Sequence, residues 1–328
     1  PAVPLGTTAG PEKLCLPPGQ YRCARPAAGT RVTFRLWILD PTTLDCDTAS
    51  FGKSIWLAPT VPRHPHKENT MARTFKEMLK TGELVNVFAL GRIPNPIIVE
   101  MFGLAGKYDG FWLDQEHTQL STDQIINLSL AARANDFDSF VRVPPTGYWQ
   151  VTQCLEAGAG GVMAAQIHTA DQAREFVSWC KFAPQGTRGL NAGGRDANYT
   201  HKPPAQFVED ANRDHFVAIQ VETIGSVEEA DAIAAIEGVD LLFVGPADLS
   251  LALGVVGQFH HEKLWEAIGA VSQACQKHGK AWGCVAPDPQ FADRAVENGC
   301  RMPTLGNEMH VLRKGIEAFH SVFQNQFN

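Results

Sequence analysis

Residues 217–222 read Val217-Ala218-Ile219-Gln220-Val221-Glu222, and residues 240–245 read Asp240-Leu241-Leu242-Phe243-Val244-Gly245. Both are short apolar runs, and the interval 226–236 between them carries apolar residues at helical spacing. Strands that are apolar on both faces are buried on both faces, as in a parallel sheet covered by helices. Outward from this pair the same unit recurs. Strands are expected near 85–90, 110–114, 139–143, 160–164, 280–284 and 301–305, and amphipathic helices over 122–134, 170–181, 263–278 and 288–298. Eight strand–helix units within residues 71–328 favour a (β/α)8 TIM barrel over an open doubly wound sheet. Pro303 falls inside the last run, where proline removes a ladder donor, so a bulge or a shifted boundary is expected there.

The 328 residues are 44% hydrophobic and 19% charged, which suits a large buried core. A net charge of −7 without a basic stretch argues against nucleic-acid or anionic-membrane binding. Residues 1–70 hold ten of the 21 prolines and show no sustained period, so they read as an irregular extension preceding a barrel domain at 71–328. Arg22, Arg25, Arg31 and Arg35 would suit a transit peptide, whereas Asp40, Asp45 and Asp47 would not. No secretory pattern stands out, because the apolar run 34–39 is broken by Arg35. None of the eight cysteines forms a C-x-x-C pair or completes a zinc pattern, and the expected location is the reducing cytoplasm.

The glycine-rich stretch at 158–161 precedes a strand, whereas a dinucleotide-binding turn must follow one, so it reads as a helix-to-strand turn with glycines at positive φ. Walker A, nucleophile-elbow and H-E-x-x-H patterns are missing from the sequence. Chemistry in a TIM barrel sits where strands end. Here those ends carry Asp114, Glu116 and His117 after strand two and Arg142 on strand three. Gln220 and Glu222 lie on strand five, and Asp248 follows strand six. Each alone could be a helix cap, a solvated loop residue or an ion-pair partner. Together at adjacent strand ends, their burial would be costly unless used. Glu222 and Asp248 form a carboxylate pair suited to Mg²⁺ or Mn²⁺, which keep several water or substrate ligands. A Schiff-base lysine is not expected, since Lys280 opens strand seven and Lys107 and Lys181 fall in helix-to-strand connections.

Six segments resemble the class II pyruvate aldolases, the 4-hydroxy-2-oxoheptanedioate and 2-dehydro-3-deoxyglucarate aldolase (HpcH/HpaI) group. They are Leu113-Asp114-Gln115-Glu116-His117, Val141-Arg142-Val143-Pro144, Leu155-Glu156-Ala157-Gly158-Ala159, Gln185-Gly186-Thr187-Arg188-Gly189, Gln220-Val221-Glu222-Thr223 and Val244-Gly245-Pro246-Ala247-Asp248-Leu249-Ser250. The resemblance implies a barrel of the phosphoenolpyruvate/pyruvate-domain type. It also implies a divalent cation (Mg²⁺ or Mn²⁺, with Co²⁺ as an alternative) on Glu222 and Asp248. Gln220 and the backbone amides of Ala247 and Asp248 would then orient the pyruvate carboxylate, Arg142 would bind the keto or enolate oxygen, and Asp114 with His117 would form a proton-managing dyad. The segment Ala164-Ala165-Gln166-Ile167-His168 departs from the family, which usually has a proline there.

The expected activity is a carbon–carbon lyase reaction, cleaving a 4-hydroxy-2-oxo acid to pyruvate and an aldehyde through a metal-stabilised enolate. Two alternatives use the same enolate: oxaloacetate decarboxylation and a macrophomate-synthase-like bond formation. A third is a catalytically silent barrel. Expected partners are a small 2-oxo acid and an aldehyde. The family resemblance implies a homo-oligomer, a trimer of dimers, and the apolar stretch 249–257 reads as a loop that lies against a second subunit close to Asp248.

Overall fold

The computed structural model describes residues 73–327; the expectation for residues 1–70 lies outside the described residues. The apolar runs form strands β1 Val87–Leu90, β2 Gly110–Asp114, β3 Asp138–Val143, β4 Gly161–Ala164, β5 Phe216–Val221, β6 Leu241–Val244, β7 Ala281–Val285 and β8 Met302–Asn307. All pair in parallel in chain order, and β8 returns to β1 to close the barrel. This is the expected (β/α)8 TIM barrel.

Strand alternation explains why the runs are apolar throughout. Trp112, Phe140, Ala218 and Phe243 point inward and fill the barrel with Val87 and Met302. Their neighbours Phe111, Leu113, Val141, Val143, Val217 and Ile219 point outward into the layer beneath the helices. The same parity builds the site. Two residues beyond Trp112 comes Asp114, two beyond Phe140 comes Arg142, and beyond Ala218 come Gln220 and Glu222. Apolar side chains thus fill the lower barrel, and polar ones crown it.

The lower end is closed by the helix Phe75–Lys80, whose Thr74 and Glu77 make a capping box. Phe75 is fully buried against Phe140 and Phe216. Asp138 fixes this helix, accepting from the Phe75 N–H at 2.7 Å and from the Ser139 N–H at 2.8 Å. Burial pushes the Asp138 carboxyl up to about 6 from an ordinary 3.8, against the pull of those donors. A raised folded-state pKa stabilises fully below the unfolded value and loses that contribution as pH rises through about 6. Relative to Asp138→Asn, the wild type should gain at most about 3 kcal/mol as pH falls from ~7 to ~4. Urea melts at matched pH measure it, and a pH-independent difference would contradict it.

Three sequence expectations need correction. Of the glycines at 158–161, only Gly158 has a positive φ, +102°. Gly160 and Gly161 are needed for close approach, since a Cβ would fall 2.0 Å from Asp138 Oδ1 and 2.3 Å from the Phe216 carbonyl respectively. The helix expected over 226–236 is two short ones, Ile224–Glu228 and Ala230–Ala234, divided at Glu229 with φ −99° and ψ 13°. In the third case, the stretch 249–257 is not a loop throughout. It continues the helix Pro246–Ala252 and buries Leu249 while leaving Leu251 and Val256 exposed. The irregularity expected around Pro303 lies just past it. Val87 pairs with Thr304 but Ala89 pairs with Asn307, so three steps of β8 span two of β1.

The final long helix, Glu308–Val322, buries only its first residue. Met309, Leu312, Ile316, Phe319 and Phe323 recur along it at helical spacing and are all exposed. The helix Pro96–Ala105, which follows the adjoining strand β1, likewise exposes Ile97, Met101 and Leu104. Among the described residues, no helix is long and apolar enough to cross a membrane.

Candidate active site

The strand ends open into a cavity of about 590 Å³. It is lined by Asp114, His117, Arg142, Gln220, Ala247 and Asp248, and on the β1 and β8 side by Arg92, Thr304, Asn307 and Glu308. The residues singled out from the sequence therefore come together at one mouth, with Glu222 just beneath.

Arg142 is the electrostatic centre. Its Nε and Nη2 engage the two Asp114 oxygens at 3.1 and 2.9 Å, and its Nη1 lies 3.1 Å from Glu116 Oε2. The guanidinium stacks over Trp112, 4.9 Å from the ring centroid, and Trp112 Nε1 donates to Thr304 Oγ1 at 3.0 Å. A planar fork can satisfy two carboxylates and an aromatic face together; an ammonium cannot. Burial opposes ionisation of Asp114, but Arg142 and the N–H groups of His117 and Glu116 overcome it, holding the carboxyl below the ordinary range.

The family resemblance implies that Asp114 and His117 act as a proton-managing dyad. In the structure Asp114 Oδ1 accepts from the backbone N–H groups of Glu116 and His117, at 3.0 and 3.2 Å. Asp114 thus shapes the turn that carries His117. The carboxylate nearest the imidazole is Glu116, with Oε2 3.7 Å from Nε2, and the His117 side chain is 55% exposed at the cavity rim.

Glu222 is 2% exposed. Its Oε1 accepts from the N–H and the Nε2 of Gln166, at 2.8 and 3.1 Å, and its Oε2 accepts from Gln220 Nε2. Gln166 reaches this position through a left-handed backbone, φ +50°, uncommon for a residue with a side chain. Burial pushes the Glu222 carboxyl up to about 7; Glu116 and Asp248 push the same way, against the Gln166 N–H and Arg142. Asp248 lies in the first turn of Pro246–Ala252, beside Gly245. A Cβ on Gly245 would fall 2.7 Å from Glu222 Oε2 and 2.8 Å from Gln220 Nε2, so the space over Glu222 depends on that glycine.

Among the described residues no three His, Cys, Asp or Glu side chains stand together as a ready-made metal site; the carboxylates of Glu222 and Asp248 could hold a hard divalent cation with water or substrate completing its shell. Burial, with the charges of Glu116 and Asp248, raises the cost of ionising Glu222, and a +2 charge would relieve it. Among the described residues the buried Gln220 Oε1 has no hydrogen-bond donor, and Glu116 Oε2 has only its ion pair with Arg142 and the His117 imidazole at 3.7 Å. The candidate ligands are all oxygens, which suits Mg²⁺ or Mn²⁺. Among the described residues no lysine lines the cavity. Lys181 Nζ donates to the carbonyls of Asn212 and His215, and Lys280 Nζ to that of Val239, below the barrel.

Several residues of the site escaped the sequence reading. Arg92, Gln166 and Glu308 follow β1, β4 and β8, so the strand-end rule applied to those strands would have found them, although the grip of Gln166 on Glu222 also depends on a backbone turn.

Comparison with known proteins agrees with this geometry. The profile of the HpcH/HpaI aldolase/citrate lyase family matches residues 88–315. The chain is 36% identical over 205 residues to a 4-hydroxy-4-methyl-2-oxoglutarate aldolase, tasA, from Hapsidospora irregularis, covering 62% of this chain and 76% of that protein. It is 31% identical over 232 residues to a 5-keto-4-deoxy-D-glucarate aldolase from Klebsiella pneumoniae, covering 71% and 90%. The crystal structure of an HpcH/HpaI aldolase from Desulfitobacterium hafniense superposes with a TM-score of 0.70 at 31% identity, covering 76% of this chain and 97% of that one. The chain belongs to the HpcH/HpaI aldolase/citrate lyase family, and its activity is that of a carbon–carbon lyase.

Proposed function

We propose that the protein cleaves, and in reverse forms, the C3–C4 bond of a 4-hydroxy-2-oxo acid, yielding pyruvate and an aldehyde. The observation that carries this reading is one cavity lined by Asp114, Arg142, Gln220 and Asp248, with Arg142 paired to Asp114 and Glu116 and the Glu222 carboxylate buried against Gln220. Glu222 and Asp248 would hold Mg²⁺ or Mn²⁺. Such a cation supplies Lewis-acid stabilisation of the charge that develops on the 2-oxo oxygen. Gln166 and Gln220 fix the Glu222 carboxylate through hydrogen bonds. The backbone amides of Ala247 and Asp248 orient the substrate carboxylate, and Arg142 adds a fixed positive charge where the enolate forms. His117, at the rim, takes the C4 hydroxyl proton as the C3–C4 electron pair passes into the enolate; protonation at C3 then completes pyruvate.

Pyruvate release from 4-hydroxy-2-oxo acids, with Mg²⁺ or Mn²⁺ and after EDTA treatment, tests the reading. Full activity in metal-free protein would refute it. His117→Ala should lower kcat by about 10²–10⁴, the usual range for a lost acid–base group. A change within about twofold, far below that range, would leave His117 a surface residue.

The same proposal extends to assembly and location. The apolar faces of Glu308–Val322 and Pro96–Ala105, together with Leu251 and Val256, support a homo-oligomer, with a trimer of dimers as its form. Light scattering on the full chain measures it, and a fully active monomer would contradict it. Cys154, Cys180, Cys275, Cys284 and Cys300 are all free and buried, which supports a reducing, cytoplasmic setting.

A further inference from the structure

Two guanidiniums line the cavity, and they are in opposite situations. Arg142 is committed to Asp114 and Glu116. Arg92 makes no ion pair or side-chain hydrogen bond among the described residues, although it lines the same cavity.

The backbone beneath Arg92 is nevertheless fixed. The N–H groups of Gly91, Arg92 and Ile93 all donate to Glu308 Oε1, at 3.0, 2.5 and 3.2 Å, and Glu308 is 5% exposed. Gly91 also packs against the turn after β2, where an added Cβ would lie 2.8 Å from Thr118 Cγ2. Successive N–H groups of this kind form a natural anion cradle. Here an internal carboxylate fills it, so the loop has only the Arg92 side chain left to offer an incoming anion. That side chain is uncommitted, yet it leaves from an ordered backbone.

The pyruvate half of the substrate is assigned above to the Glu222, Asp248 and Arg142 end of the cavity. The other half then extends toward the rim, where Arg92 is the strongly basic side chain among the lining residues. We propose that Arg92 is a specificity-determining residue that selects substrates whose aldehyde-derived half carries a carboxylate. A guanidinium meets a carboxylate with two parallel charge-assisted hydrogen bonds, and it pays little for ordering when its backbone is already held. The inference rests on the aldolase reading of this cavity.

The test measures addition of pyruvate, with Mn²⁺, to matched aldehydes with and without a terminal carboxylate, in wild type, Arg92→Ala and Arg92→Lys. Arg92→Ala should lower kcat/KM for carboxylated acceptors about 10- to 100-fold, the scale of a lost hydrogen bond to a charged group, mainly through KM. The uncharged acceptors should change far less, so the preference collapses, and Arg92→Lys should fall between. Exchange of the pyruvate C3 protons in D₂O by the wild type reports enolate formation without any acceptor. Exchange with an unaltered acceptor preference in Arg92→Ala would overturn the Arg92 assignment alone. A wild type that neither exchanges pyruvate nor adds it to any acceptor would overturn the aldolase reading and this inference with it.

Discussion

Glu222→Gln and Asp248→Asn should each lower kcat/KM for cleavage of a 4-hydroxy-2-oxo acid by about 10³–10⁴. Lewis-acid stabilisation supplies several kcal/mol, and each 1.36 kcal/mol is about a factor of ten in rate. Both substitutions keep side-chain size and remove one ligand charge. Calorimetric titration with Mn²⁺ should show binding weakened in parallel with activity. Thermal melts without added cation should show no loss of stability in Glu222→Gln, because burial already disfavours that carboxylate's charge. A variant that loses activity while binding Mn²⁺ like the wild type would move the cation site elsewhere.

The second large effect concerns Arg142. Its removal strands Asp114 and Glu116, both mostly buried, without a counter-charge. Breaking such a buried pair costs about 3–5 kcal/mol. Arg142→Ala should therefore lose stability on that scale in urea melts. Arg142→Lys should recover part of the stability, since a charge returns. It should still be at least about 10²-fold slower, the scale of losing one positioned donor where charge develops. An ammonium cannot reach both Asp114 oxygens and Glu116 while stacking on Trp112. Cleavage and oxaloacetate decarboxylation should fall together, because both pass through an enolate. Loss of cleavage alone would assign Arg142 to the acceptor half.

Much of this architecture is legible in the residue order. Gly110–Asp114 and Thr122–Ala134 have the expected bounds because polar residues or a capping serine frame them. The site residues were found by one rule, that polar side chains at strand ends meet. The details that escaped are those fixed through space. Nothing local to Asp114 says that its carboxylate will bind Arg142 and two backbone N–H groups at once. Nor does the run Ala164-Ala165-Gln166 reveal that Gln166 will turn to a positive φ and grip Glu222. Pro303 signals an irregularity in β8, but its place between Thr304 and Asn307 is set by barrel closure, which no single strand encodes.

Glu308 ties together two parts of the molecule that otherwise look unrelated. Its side chain gathers three N–H groups on one oxygen, and its backbone begins a helix whose apolar side faces outward. Because three N–H groups share one acceptor, displacing that oxygen weakens the hold on the whole β1 loop and not on one residue of it. Chains shortened progressively from residue 328 would first shed an outward-facing helix. On losing residue 308 they would also lose the latch on the loop that carries Arg92, so the useful limit of C-terminal trimming is set by chemistry at the mouth and not by the packing of the barrel.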